Sequence, residues 1–92
     1  MIDDKTFEIL DELRDAYNAA VRKHPTFAVS YPHAVSLINE EVGELAKEVN
    51  DEMANNAIGL TSRGWRERAF VEATHVAVTA IRTMQLLKEE MR

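Results

Sequence analysis

Glycine and proline occupy only five positions of this chain: Pro25, Pro32, Gly43, Gly59 and Gly64. Pro25 and Pro32 bracket one connection, and Gly59 and Gly64 bracket another, so three long stretches remain. In each, apolar residues recur at three- and four-residue steps, the spacing of a helix face rather than of a strand. The first stretch, Asp3 to Lys23, carries Phe7, Leu10, Leu13, Tyr17 and Val21 on one stripe. Asp3 or Asp4 can cap its start, Arg22, Lys23 and His24 suit its negative end, and Pro25 terminates it. The connection from Pro25 to Tyr31 carries Phe27, Val29 and Tyr31, and is expected to pack on the helices.

A second helix is predicted from Pro32 to Met53, with Ser30 or Tyr31 near its cap and Pro32 in its first turn. Its stripe is Val35, Ile38, Val42, Leu45, Val49 and Met53. Asn55, Asn56, Gly59 and Gly64 mark the following loop. The third helix is predicted from Trp65 to Glu90. One stripe runs through Phe70, Ala73, Ala77, Ala80, Met84, Leu87 and Met91, and Val71, Val78 and Ile81 form a second beside it. A helix apolar on two sides is packed on two sides. The expectation is an all-α fold of one domain over residues 1–92. Three long antiparallel helices form an incomplete bundle, and homo-oligomerisation completes it.

Size points the same way. A chain of 92 residues buries a modest fraction of its surface, and with no cysteine it has no disulfide to supplement the core. Association with further copies is the remaining source of buried area, with homodimer and homotetramer both open. The lack of cysteine fits a reducing compartment. No apolar run approaches the ~18 residues of a membrane span. The acidic start, Met1-Ile2-Asp3-Asp4, has no signal-peptide character. A cytoplasmic protein with no membrane partner is expected. The net charge of -5 argues against a nucleic-acid polymer as partner, since that needs a basic stripe. It still allows a triphosphate, provided a divalent cation bridges the two negative partners.

The chemistry is concentrated in Asn39-Glu40-Glu41-Val42-Gly43-Glu44-Leu45-Ala46-Lys47-Glu48. Glu41 and Glu44 are three apart and share a helix face, and Glu48 lies within about 20° of Glu41. Leu37, Ile38 and Leu45 sit on or beside this strip, whereas Glu40 and Lys47 point towards solvent. Like charges on adjacent turns repel, and beside apolar neighbours they are also desolvated. A hard divalent cation with oxygen ligands relieves both costs. The plain alternative is a solvated charged face.

A second polar strip, Arg68, Glu72, His75, Thr79 and Arg82, interrupts the apolar third helix within about 80° of arc. A buried Glu72 needs a partner. The helix-two carboxylates suit it only as co-ligands of a shared cation. His75 on its own also reads as a core histidine bonded to a neighbouring glutamate. Arg68 and Arg82 read first as ion-pair partners of helix-two glutamates and second as phosphate contacts. Other chemistries find no support. His24, His33 and His75 lack zinc-helix spacing, there is no phosphate-binding glycine loop, and no serine has a triad context. Trp65, beside Arg66, reads as an interface or core aromatic.

Glu41-x-x-Glu44, 27 intervening residues, then Glu72-x-x-His75 resembles the E-x-x-E…E-x-x-D signature of the all-α nucleoside triphosphate pyrophosphohydrolases. That superfamily includes MazG, the dimeric dUTPases and the phosphoribosyl-ATP pyrophosphohydrolases. The flanks resemble it too, in Glu40 to Ala46 and in Val76 to Arg82, and the likeness extends over roughly Pro32 to Leu87. The resemblance implies a helical dimer or tetramer that binds Mg²⁺, with Mn²⁺ possible. It implies hydrolysis of a (deoxy)nucleoside triphosphate to the monophosphate and pyrophosphate. By position, Glu41, Glu44, Glu72 and His75 would hold metal, and Glu44 or Glu48 would orient or deprotonate the attacking water. Lys47, Arg68 and Arg82 would be candidates for substrate contact.

His75 departs from the signature, which has a carboxylate there, and imidazole suits Mn²⁺ or softer metals better than Mg²⁺. Three consequences are open. His75 ligates such a metal; or it bonds a ligand carboxylate or a phosphate, leaving three glutamates on the cation; or the site is weakened. In the last case the chain is a helical module that binds nucleotide or a protein partner.

Overall fold

The computed structural model describes residues 1–91. Within them the chain is all-helical: α1 (Asp4–Lys23), α2 (Tyr31–Ala57) and α3 (Trp65–Glu90), with no strand among the described residues. The caps follow from local chemistry. The Asp3 carboxylate accepts the Thr6 N–H at 2.8 Å, and this bonding holds its carboxyl below the ordinary value. Ser30 caps α2 by accepting the His33 N–H at 3.2 Å, while the Val29 N–H donates back to His33 Nδ1 at 3.1 Å.

The second helix runs four residues past its predicted end at Met53. Asn55 and Asn56 belong to its last turn, where the Asn55 carbonyl accepts from Ile58 and Leu60 and the Asn56 carbonyl accepts from Gly59. The true stop is Gly59, whose φ of 80° needs a residue without a side chain. The third helix starts at its predicted residue because Gly64, at φ 73°, turns the chain immediately before it.

Helices α2 and α3 form an antiparallel hairpin, and α1 packs against α3 without approaching α2. Two polar contacts fix α1: Gln85 Nε2 donates to the Tyr17 hydroxyl at 2.7 Å, and Arg82 Nη2 donates to the His24 carbonyl at 2.8 Å. Because α1 stands off α2, a cleft of about 840 Å³ opens between α1 and the hairpin. The connection packs through Phe27 and Ala28, while Val29 and Tyr31, expected to pack, are exposed.

Ala34 and Val78 are the only buried apolar residues among those described. On α2, Ile38, Leu45 and Val49 are half-buried, but Val35, Val42 and Met53 are exposed. On α3, Phe70, Met84, Leu87 and Met91 are exposed. Viewed down the helices, Val35, Val42 and Met53 lie about 100–120° round α2 from Glu41. Met84, Leu87 and Met91 lie about 120–180° round α3 from His75. In an antiparallel pair both sets fall on the side of the hairpin away from the cleft. Of the two apolar stripes predicted for α3, the one ending in Met84, Leu87 and Met91 is therefore uncovered there in a single chain, whereas Val78 of the other is buried.

Candidate metal centre

The hairpin brings its two acidic motifs together. Glu41 and Glu44 project from the middle of α2, and Glu72 and His75 from the facing turns of α3. One ligand atom from each of the four lies within 4.8 Å of all the others. That span is about twice a typical metal–oxygen distance of ~2.0–2.6 Å, so one hard cation can touch the whole set.

Glu41 Oε2 and Glu72 Oε2 are inaccessible to solvent and have no hydrogen-bond donor. His75 Nδ1 lies 3.4 Å from each, within ion-pair reach but aligned for a hydrogen bond with neither. Two orphaned carboxylate oxygens beside a third carboxylate are what a cation would satisfy. Glu44 reports the crowding. Its carboxyl is held above the ordinary value, first by a hydrogen bond with Glu72, then by the charges of Glu41 and Glu72, then by desolvation, with His75 pulling the other way. His75 is half exposed, so it is not a core histidine. Its imidazole is placed either to join the glutamates on a cation or to bond one of them.

The other predicted residues fall into two groups. Glu48 points to the same side, but its Oε2 accepts from Arg68 Nε at 3.2 Å. Arg68 is the ion-pair partner of a helix-two glutamate, as its position suggested. Its remaining nitrogens donate to the Arg63 carbonyl and the Ser62 hydroxyl, each at 2.7 Å. The guanidinium thus staples the α2–α3 loop, with each of its three nitrogens engaged. Lys47 lies on the solvent face, paired with Asp51 at 2.7 Å. Arg82 is 8% exposed and pairs with no helix-two glutamate; besides the His24 carbonyl it meets the Phe27 ring, 5.0 Å from its centroid. Thr79 is buried, its hydroxyl donating to the His75 carbonyl at 2.6 Å. Trp65 is half-buried beneath the Arg66 guanidinium.

Sequence reasoning missed Glu52. It is the largest fully buried side chain among the described residues, 2% exposed, and its Oε2 accepts the Ser62 N–H at 2.9 Å. The Asn56 amide, turned so that its nitrogen donates, reaches Glu52 Oε1 at 3.2 Å and the Leu60 carbonyl at 3.0 Å. The signal was available. Glu52 follows Leu45 by seven residues and so shares its inward face.

The cleft joins this centre to α1. Glu41 and His75 stand at its floor with Leu37 and Val78, Ala16, Ala20 and Lys23 form the α1 wall, and Arg82 stands further along α3. No family model, curated protein or solved structure matches the chain.

Proposed function

We propose that this chain is a divalent-cation-dependent nucleoside triphosphate pyrophosphohydrolase that works as a homo-oligomer. The observation that carries the proposal is the convergence of Glu41, Glu44, Glu72 and His75 within 4.8 Å, with two carboxylate oxygens left unbonded. The donor set suits Mg²⁺, and the imidazole inclines it towards Mn²⁺. A bound cation would bridge the enzyme to the phosphates and lower the pKa of a coordinated water.

The chain's own contribution is placement. Glu41 and Glu72 present oxygens into the centre. Glu44 is exposed and pairs with no arginine or lysine among the described residues, so it is better disposed to take a proton from water than Glu48, which Arg68 engages. Water adds to the α-phosphorus as the bond to the bridging α–β oxygen breaks, giving the monophosphate and pyrophosphate. Of the three basic candidates, Arg82 alone lines the cleft. Lys47 would need a second copy to bring substrate to it. No helix among the described residues is long and apolar enough to cross a membrane. Cytoplasmic triphosphates are the substrates this reading assigns.

Shape supports the oligomer. The accessible surface is 7151 Å², whereas a folded 10.4 kDa monomer exposes about 5,400 Å². The radius of gyration is 15.6 Å against about 12 Å for a compact chain of this length. The open side of the hairpin, bearing Val35, Val42, Met84 and Leu87, accounts for part of the surplus and offers a second copy a two-helix apolar surface.

The test is pyrophosphate release from a panel of ribo- and deoxyribonucleoside triphosphates with Mg²⁺ or Mn²⁺. Glu41→Gln or Glu72→Gln should abolish release while helix content is kept. No release with any nucleotide, from protein that binds Mn²⁺, would overturn the hydrolase. His75 favours a second reading, a weakened module that binds nucleotide without cleaving it. A large gain of activity in His75→Asp would establish that reading.

A further inference from the structure

Among the described residues, Arg82 is the one charge whose burial nothing yet described explains. The residue is 8% exposed, and its contacts are with a backbone carbonyl and an aromatic ring rather than with a carboxylate. Taking a guanidinium out of water without a counter-charge is costly. A single bond from Nη2 to the His24 carbonyl and the face of Phe27 offset only part of that cost. A guanidinium carries five N–H donors and no acceptor, so most of its donors remain unused. None of these nitrogens is sealed from solvent without a partner, and Arg82 lines the cleft whose floor is formed by Glu41 and His75.

Position along α3 sorts the two ends of that cleft. Arg82 follows His75 by seven residues, so the two lie on nearly the same face about 10 Å apart along the axis. Between them Val78 and the facing Ala16 and Ala20 make an apolar passage. A cleft of about 840 Å³ lies within the usual range for small-molecule sites, ~300–1,000 Å³. A ligand whose phosphates lie at the carboxylate end would lay its ring along the apolar passage and bring the ring's edge to Arg82.

We propose that Arg82, held over the Phe27 ring, is a specificity-determining residue that reads the acceptor edge of a 6-oxopurine base in the α1–α3 cleft. This rests on the nucleotide reading given above. A planar fork of donors matches two acceptors side by side, as O6 and N7 are in guanine and hypoxanthine. Adenine sets an N6 amino donor next to N7 and would face donor with donor. Lysine cannot substitute, because an ammonium is a point charge without the fork.

The experiment titrates the Mn²⁺-loaded full chain with inosine monophosphate, adenosine monophosphate and pyrophosphate by calorimetry, in wild type and Arg82→Lys. The two nucleotides differ only at the base's C6 edge. Inosine monophosphate should bind on the order of tenfold or more tighter than adenosine monophosphate. In Arg82→Lys that ratio should fall to about one, with pyrophosphate affinity unchanged. Equal binding of the two nucleotides by wild type overturns the proposal, as does a ratio that survives in the variant. A loss of pyrophosphate affinity as large as the loss for inosine monophosphate also overturns it, by assigning Arg82 to phosphate. Should the variant fail to fold, the Arg82 Nε–H resonance of wild type decides, shifting with inosine monophosphate and not with pyrophosphate. Selective binding without pyrophosphate release leaves this inference standing and overturns the hydrolase. Equal release from inosine and adenosine triphosphates does the reverse.

Discussion

A charge placed on the open apolar side of the hairpin is predicted to separate the copies of the proposed oligomer without unfolding either one. Val42 and Met84 serve best, because each is exposed in the single chain and its replacement costs the monomer little. The chain exposes roughly 1,700 Å² more than a compact monomer of its mass. If a second copy covers that surplus on both partners, the pair buries about 3,500 Å², within the ~2,000–5,000 Å² of obligate dimers. A two-fold interface presents each substitution twice. Two unpaired charges at about 3 kcal/mol each amount to about 6 kcal/mol. At 1.4 kcal/mol per decade, that raises the dissociation constant about four orders of magnitude. Sedimentation equilibrium from nanomolar to tens of micromolar should find wild type associated throughout. Met84→Glu and Val42→Lys should be monomeric over most of that range, and Glu40→Lys, on the opposite exposed face, should match wild type. A helical wild type that is monomeric at tens of micromolar would refute the reasoning. So would a variant that sediments unchanged.

Mn²⁺ at a hundredfold excess over its dissociation constant should stabilise the protein by about 2.7 kcal/mol in thermal unfolding. Glu72→Gln should melt higher than wild type in chelator and lose most of that response. Glu44 gives an unusual pH signature. Its folded pKa lies above the ordinary 4.5, so its contribution in the metal-free protein is full below that value and lost as pH rises through the folded one. The difference between wild type and Glu44→Gln in chelator should therefore grow more favourable to wild type on acidification, and a flat difference would contradict the crowding at the centre. Glu52→Ala should cost about 2–3 kcal/mol in denaturant unfolding and speed amide exchange at Ser62, while Glu52→Gln keeps an acceptor there and most of the stability.

The helices were legible because their boundaries depend on single residues. Gly64 and Trp65 place the start of α3, whereas Asn55 and Asn56 mislead at the end of α2 because asparagine is tolerated in a last turn and Gly59 alone forces the stop. The four centre residues were legible for a similar reason. Each pair is three apart on one helix, so the hairpin had only to bring two faces together. Lys47 on the solvent face and Arg68 beside a helix-two glutamate were legible too, but the partners of Arg82 were not, because they come from tertiary structure. Arg82 reaches the carbonyl of His24, 58 positions away, and Arg68 adds contacts to its own loop. Periodicity identifies which face a side chain occupies, but not which of several acceptors it will find.

The two ends of the α2–α3 hairpin are tied. At one, Glu52 holds Ser62 and Arg68 joins Glu48 to the loop. At the other, the Tyr31 hydroxyl stands against Glu90, and desolvation and that carboxylate raise its pKa. The mutually repelling glutamates sit midway. A beam pinned at both supports and loaded at its centre bows instead of hinging apart. If the centre holds the proposed cation, removing it would therefore curve the two helices away from each other over a turn or so, and the rigidity of the rods would set how firmly that ion is gripped.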